Sequence, residues 1–180
     1  RRRVDLLFAR KGGRTLLGFN AAKTHRLVMV ENCLLLLPEL NKILAPLKKL
    51  LERFNPEIKV ASKKKNAKPQ KVREIAGEVK MTATVNGLEV LLSANLPLSL
   101  DMRLDLVEFA QTHKLARISY AENGGIYEPI VEQAPAAIEF SGVEIALPPA
   151  SFLQPSQEGE AALVKAVLAG THGAQKALDL

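Results

Sequence analysis

The chain has 180 residues, 47% of them hydrophobic and 24% charged, which fits one globular domain and excludes a disordered or low-complexity protein. A single cysteine excludes a disulfide framework, and no apolar run reaches the roughly 18 residues of a membrane span. The net charge of +6 is uneven: 20 Lys and Arg face 7 Asp and Glu in residues 1–80, against 5 and 12 in residues 81–180. The basic half predicts contact with a nucleic acid, and a merely uneven surface charge is the alternative.

The first third of the chain predicts three strands and one helix. The strands are rich in Val and Leu, and a Gly-Gly hairpin signal separates the first two. The predicted ranges of the three strands are 3–9, 15–19 and 25–30. Pro38 opens the helix at a position that tolerates proline, and Asn55-Pro56 ends it. Apolar residues recur on one helical face, which is predicted to lie in the core. They are Leu40, Ile43, Leu44, Leu47, Leu50, Leu51 and Phe54.

The rest of the chain predicts a basic loop, several hairpins and two helices. Residues 61–71 are polar and rich in lysine, which indicates an exposed loop, and Asn86-Gly87 is a strong hairpin signal. Ser99 caps a second helix that reaches about His113, and Pro155-Ser156 starts a third. The predicted strands are 73–85, 88–94, 115–121, 126–131, 137–140, 143–147 and 176–180. This order predicts an α+β fold with a largely antiparallel sheet.

No local motif makes an active site by itself. His25, His113 and His172 share no ligand spacing, which argues against a zinc site. The chain has neither a P-loop nor a Rossmann glycine loop. Cys33 precedes four leucines, and from this composition alone we expect a small, buried apolar residue.

Three stretches in order carry a family resemblance. The first consists of Arg1-Arg2-Arg3-Val4, Leu17-Gly18-Phe19, Val30-Glu31-Asn32-Cys33 and Pro38. The second consists of Phe140-Ser141-Gly142 and Ser151-Phe152-Leu153-Gln154-Pro155, and the third is Ala177-Leu178-Asp179-Leu180. Together they resemble the bacterial RNA uracil-5 methyltransferases, which form 5-methyluridine in 23S rRNA or tRNA. The 23S rRNA branch, which carries an iron–sulfur cluster, is the most similar.

The resemblance implies a domain organisation. Residues 1–150, with the basic loop 61–71, correspond to the family's central domain. Residues 151–180 correspond to the beginning of a Rossmann-like domain that binds S-adenosylmethionine. The family's glycine-rich cofactor loop, catalytic cysteine and general-base glutamate would lie beyond Leu180, so no catalytic residue is expected in the chain. We expect an inactive piece of a cytoplasmic RNA methyltransferase, without bound cofactor; a non-catalytic RNA-binding module is the alternative.

The resemblance also assigns roles to residues. Phe152 would stack on a uracil flipped out of its RNA, and Gln154 would hydrogen-bond the base or the cofactor. Packing of Phe152 on the following helix is the alternative. Asp179 would lie near the cofactor. Cys33 matches the fourth cysteine ligand of a 4Fe–4S cluster, with Leu34 where the family commonly has proline; a buried structural cysteine is the alternative.

Basic residues are the remaining candidates. Arg1 and Arg3 at the start of the first strand, and Lys63, Lys64 and Lys65 in the basic loop, are predicted to contact RNA phosphates. Solvated surface charge is the alternative for each of them. Strand alternation allows only some of the three leading arginines to share a face. The expected RNA partner is rRNA, with tRNA as the alternative. One thiolate cannot hold a cluster, so this chain is expected to carry none.

Overall fold

A computed structural model describes residues 1–11, 13–24, 26–54, 59–60, 70–71, 74–174 and 176. It confirms the α+β class predicted from the sequence. The strands are β1 (Arg3–Lys11), β2 (Arg14–Asn20), β3 (Leu27–Met29), β4 (Lys59–Val60), β5 (Gln70–Lys71), β6 (Glu74–Thr84), β7 (Gly87–Ala94), β8 (Arg117–Glu122), β9 (Glu128–Glu132), β10 (Ala137–Phe140) and β11 (Val143–Ala146). The helices are α1 (Pro38–Arg53), α2 (Leu100–Thr112) and α3 (Gln157–Gly170).

Seven strands form the main sheet, in the order β3-β2-β1-β6-β7-β8-β9. Neighbouring strands are antiparallel except β7 and β8, which run parallel because α2 carries the chain back across the sheet between them. The predicted hairpins β1–β2, β6–β7 and β10–β11 are confirmed by their registers. The order places β1, which begins at Arg3, in the interior of the sheet.

The core lies between one face of this sheet and helices α1 and α2. The face of α1 predicted from its periodicity is buried in full, from Leu40 to Phe54. Alternate residues of β1, namely Val4, Leu6 and Phe8, pack against it because successive side chains of a strand point to opposite faces. The predicted cap is also confirmed, since the Ser99 hydroxyl accepts the Met102 amide at 3.2 Å.

Several predicted elements differ in extent from the structure, and hydrogen bonding explains the differences for the third strand and the loop 61–71. The third strand is shorter than 25–30, because the Ala21 amide donates to the Arg26 carbonyl at 2.8 Å and closes a turn before Leu27. The predicted loop 61–71 ends in a strand, since Gln70–Lys71 pairs with Lys59–Val60. Residues 61–69 and 177–180 lie outside the described residues, so the loop and the last predicted strand stay predictions.

The β10–β11 hairpin stands apart from the main sheet and leads into α3. The Val85 amide donates to the Ala137 carbonyl at 2.9 Å, and this bond joins the hairpin to the end of β6. Helix α3 has no buried residue and exposes Leu163, Val167 and Leu168. None of the helices in the described part of the chain is long and apolar enough to cross a membrane.

Candidate functional site

A cleft of about 380 Å³ opens where the beginning of β1 meets two loops. We call it the Phe152 cleft; its polar and reactive lining residues are Arg1, Arg3, Asp5 and Cys33, and Phe152 forms an apolar wall. Four of the predicted site residues, Arg1, Arg3, Cys33 and Phe152, therefore line the same cleft. They converge because β1 pairs with β6 in the sheet interior while the chain after β11 returns across the end of β1.

Phe152 is held outside the core. Its side chain is 76% exposed, whereas the next residue, Leu153, is buried in a small cluster with Ile138 and Leu147. Phe152 is therefore not part of the core of the described residues, and its stacking on a base and its packing on the following helix both stay predictions. An exposed phenyl ring beside a cleft offers a flat apolar face on which a nucleobase can stack.

Gln154 does not line the Phe152 cleft. Gln154 is half-buried and lines a second, largely apolar cavity of about 740 Å³, together with Phe152 and the exposed face of α3. Leu163 and Val167 contribute to that face. Phe152 and Leu153 line both cavities, but Gln154 does not line the cavity of Arg1 and Arg3.

The three leading arginines differ in their surroundings. Arg1 is exposed at the rim of the cleft, and its carbonyl accepts the Leu37 amide at 3.0 Å. Arg2 is buried and forms an ion pair with Glu160 of α3. Arg3 is half-buried and donates to both carboxylate oxygens of Asp5, at 3.1 and 3.3 Å. Only Arg1 therefore presents a cation without a carboxylate partner among the contacts of the described residues.

Cys33 lies in the loop before α1, half-buried against the core. The Asn41 side chain of α1 holds this loop: its Oδ1 accepts the Cys33 amide, and its Nδ2 donates to the Cys33 carbonyl, both at 2.9 Å. The neighbouring Leu34 is 95% exposed. Cys33 is thus neither a fully buried core residue nor a free surface thiol, and it faces the Phe152 cleft.

A buried ion pair supports the segment that carries Phe152. Nε of Arg117 donates to Oε1 of Glu89 at 2.9 Å, and its Nη2 donates to the Leu147 carbonyl at 2.7 Å. Burial raises the pKa of Glu89, and Arg117 opposes that rise. Sequence reasoning missed this pair because its members lie 28 residues apart and meet only through the parallel register of β7 and β8.

The other predicted site residues are not placed. Lys63, Lys64, Lys65 and Asp179 lie outside the described residues. Their proposed contacts with phosphate and cofactor stay predictions. Within the described part of the chain, no three metal-ligating side chains cluster.

Comparisons with known proteins identify relatives along the whole chain. No protein-family model matches it. An uncharacterised RNA methyltransferase of Caulobacter vibrioides is 31% identical over all of this chain and 40% of its own length. The 23S rRNA (uracil(1939)-C(5))-methyltransferase of Shewanella woodyi is 27% identical over 91% of this chain and 34% of its own length.

A solved structure shares the fold. The Pyrococcus abyssi tRNA (uracil-54, C5)-methyltransferase, in complex with S-adenosyl-L-homocysteine, superposes with a TM-score of 0.63 at 17% identity. The match covers 94% of this chain and 40% of that protein. The chain thus spans about two fifths of the length of the relatives it matches. The resemblance predicted from the three stretches is confirmed: the homologues of this chain are RNA methyltransferases, uracil-C5 methyltransferases of 23S rRNA among them.

Proposed function

We propose that this chain is part of an S-adenosylmethionine-dependent RNA methyltransferase that forms 5-methyluridine, with rRNA rather than tRNA as the substrate. The relatives named as 23S rRNA uracil-C5 methyltransferases support both the reaction and the substrate. The S-adenosyl-L-homocysteine in the Pyrococcus structure supports the cofactor. The observation in this chain that carries the proposal is the exposed Phe152 ring beside a cleft, in the Phe-x-Gln segment where the resemblance implies base stacking.

The chain contributes RNA binding and base positioning to the proposed reaction. C5 of uracil lies within the base stack of a helix, so an enzyme that modifies it must receive the base unstacked. Phe152 offers a stacking face for such a base, and Arg1 offers an exposed cation at the same cleft. Lys63, Lys64 and Lys65 of the basic loop are proposed to contact phosphates, which would make the affinity fall with salt.

The division of the chain at residue 150 is part of the proposal. Residues 1–150 would form the central domain, and residues 151–180 would begin the methyltransferase domain. The uncovered apolar face of α3 supports this, because such a face is expected where a further part of a protein packs. The relatives are more than twice as long as the matched region and leave ample length for a catalytic domain.

S-adenosylmethionine would supply the methyl group, but the described residues do not form a binding site for it. The chain has no glycine-rich loop, and Asp179, which the resemblance places near the cofactor, is not among the described residues. Gln154 is proposed to bond the base or the cofactor from the cavity beside α3. We therefore propose that methyl transfer needs residues outside this sequence and that the chain alone is inactive.

A 4Fe–4S cluster does not fit the donors of this chain. Such a cluster takes four thiolates, and Cys33 is the single cysteine of the sequence. Cys33 remains a proposed ligand only for a protein that brings three further cysteines to the Phe152 cleft. No step of the proposed reaction is assigned to the cluster.

A methyl-transfer assay tests the proposed function. The chain alone and the complete protein that contains it are incubated with labelled S-adenosylmethionine and 23S rRNA or tRNA. The RNA nucleosides are then analysed by mass spectrometry. We expect 5-methyluridine in 23S rRNA with the complete protein and background with the chain alone. Methylation at another atom by the complete protein would refute the proposal.

A further inference from the structure

We infer that Arg2 and Arg3 are positioning residues, which fix the backbone on both sides of Phe152 so that its ring projects over the cleft. The inference rests on the proposed function of Phe152 as a stacking platform. It assigns Arg3 a different role from the direct phosphate contact expected from the sequence.

The two arginines bind the carbonyls that flank the ring. Nη1 of Arg3 donates to the Ser151 carbonyl at 3.2 Å, one residue before Phe152. Nε of Arg2 donates to the Gln154 carbonyl at 3.1 Å, two residues after it. The Arg2 amide donates to the next carbonyl, that of Pro155, at 2.8 Å. Two adjacent residues, Arg2 and Arg3, thus hold both ends of the Phe152 segment.

Burial adds a third anchor between these two bonds. Leu153 is only 5% exposed and packs with Ile138 and Leu147, so the residue after Phe152 points inward. On the other side, the Ser151 hydroxyl donates to the Pro148 carbonyl at 2.8 Å, which closes a turn with Ala150 in the left-handed region at φ 63°. With both neighbours fixed, Phe152 is directed outward.

The charges of both arginines are already neutralised within the chain. Arg3 is paired with Asp5 through two donors, and Arg2 with Glu160. A guanidinium can bind a carboxylate and a carbonyl at once because its five N–H groups form a rigid fork, whereas a lysine has a single nitrogen on a flexible stem. This arrangement suits backbone positioning and leaves little net charge for a phosphate.

The chain contains no tryptophan, so Phe152→Trp provides a single indole, which can be excited selectively beside the two tyrosines, at the position of the ring. Arg3→Lys is then introduced in this background, which keeps the charge but removes the fork. We expect time-resolved anisotropy of the introduced indole to show a larger fast component in Arg3→Lys, without any RNA present. Arg14→Lys, at an exposed position of β2, is the matched control and should leave the anisotropy unchanged.

Single-stranded oligouridine separates positioning from phosphate contact. We expect Arg3→Lys to weaken binding, measured by quenching of the indole fluorescence in the same background, with an unchanged dependence on salt. Arg3→Gln is the control that removes the charge. If Arg3 contacts a phosphate, this variant lowers the slope of log affinity against log salt concentration by about 0.7, the value for one contact with a single strand. That drop, with the anisotropy of Arg3→Lys unaltered, would overturn the inference.

The positioning role of Arg2 and Arg3 can also be tested in the free chain, without RNA. Carbonyl carbon shifts measured by NMR should move upfield at Ser151 in Arg3→Lys and at Gln154 in Arg2→Lys, since a carbonyl that loses a donor is less deshielded. Far-UV circular dichroism identifies any variant that does not fold. Unmoved shifts in folded variants would refute the positioning role. If Arg3→Lys shows a larger fast component of the anisotropy decay but the Phe152→Trp parent does not bind oligouridine, the positioning role is upheld and the proposed base contact is refuted.

Discussion

Glu89 and Arg117 face each other across the parallel strands β7 and β8 and form a buried ion pair. The same guanidinium donates to the Leu147 carbonyl at 2.7 Å, where the chain leaves the β10–β11 hairpin. A pair in the sheet therefore holds the chain at Leu147, before the carbonyls that Arg2 and Arg3 bind. Among the described residues, the side chains of three arginines donate to carbonyls within residues 147–154.

The first prediction concerns this ion pair. Arg117→Met leaves the Glu89 carboxylate buried without its partner, and we expect it to lower the free energy of unfolding by about 3–5 kcal/mol. The double variant with Glu89→Leu removes both charges and should lose less than Arg117→Met alone. Urea denaturation of the wild type and both variants measures the two losses. Equal losses in the two variants would show that the lost bond to Leu147, rather than the stranded carboxylate, dominates.

The second prediction concerns pH. Burial raises the pKa of Glu89 above its ordinary 4.5, so the folded chain binds this proton more tightly than the unfolded chain. The stability that Glu89 contributes is thus present below pH 4.5 and is lost as the pH rises through the folded pKa. As the pH rises from 4.5 through the folded pKa, we expect the free energy of unfolding of the wild type to fall relative to that of Glu89→Gln. A rise would mean that Arg117 outweighs burial.

Local patterns predicted the helices and hairpins but not the contacts that shape the site. The 3.6-residue period fixed the buried face of α1, and Ser99 marked the start of α2, because both signals act within a few residues. The Arg2–Glu160 pair joins residues 158 apart and depends on how the chain returns across the end of β1. Strand alternation puts Arg2 on the buried side with Val4 and Leu6, but no local signal shows which carboxylate neutralises it there.

The third prediction concerns the apolar face of α3. Leu163 is 52% exposed in this chain, so Leu163→Ala should change the free energy of unfolding by less than about 1 kcal/mol. Leu106→Ala, at a buried position of α2, is the matched control and should lose about 2–5 kcal/mol. In the complete protein we expect the loss from Leu163→Ala to grow, because the proposed methyltransferase domain covers this face. An equally small loss there would contradict the domain division at residue 150.

The last prediction concerns Phe152 itself. Because the ring is exposed, Phe152→Ala should change the free energy of unfolding by no more than about 0.5 kcal/mol, the usual range for surface substitutions. A core phenylalanine would lose about 3–5 kcal/mol, so Phe54→Ala serves as the buried control. In oligouridine binding, the loss of stacking should cost about 1–3 kcal/mol.

The complete protein allows stacking to be separated from general RNA affinity. We expect Phe152→Ala to lower the single-turnover rate of methylation while most of the affinity for long RNA remains, since phosphate contacts supply that affinity. Phe152→Tyr keeps an aromatic face and should restore most of the rate. A normal methylation rate for Phe152→Ala would refute stacking of the uracil on Phe152. An exposed side chain whose loss changes neither folding nor turnover has no part in positioning the base.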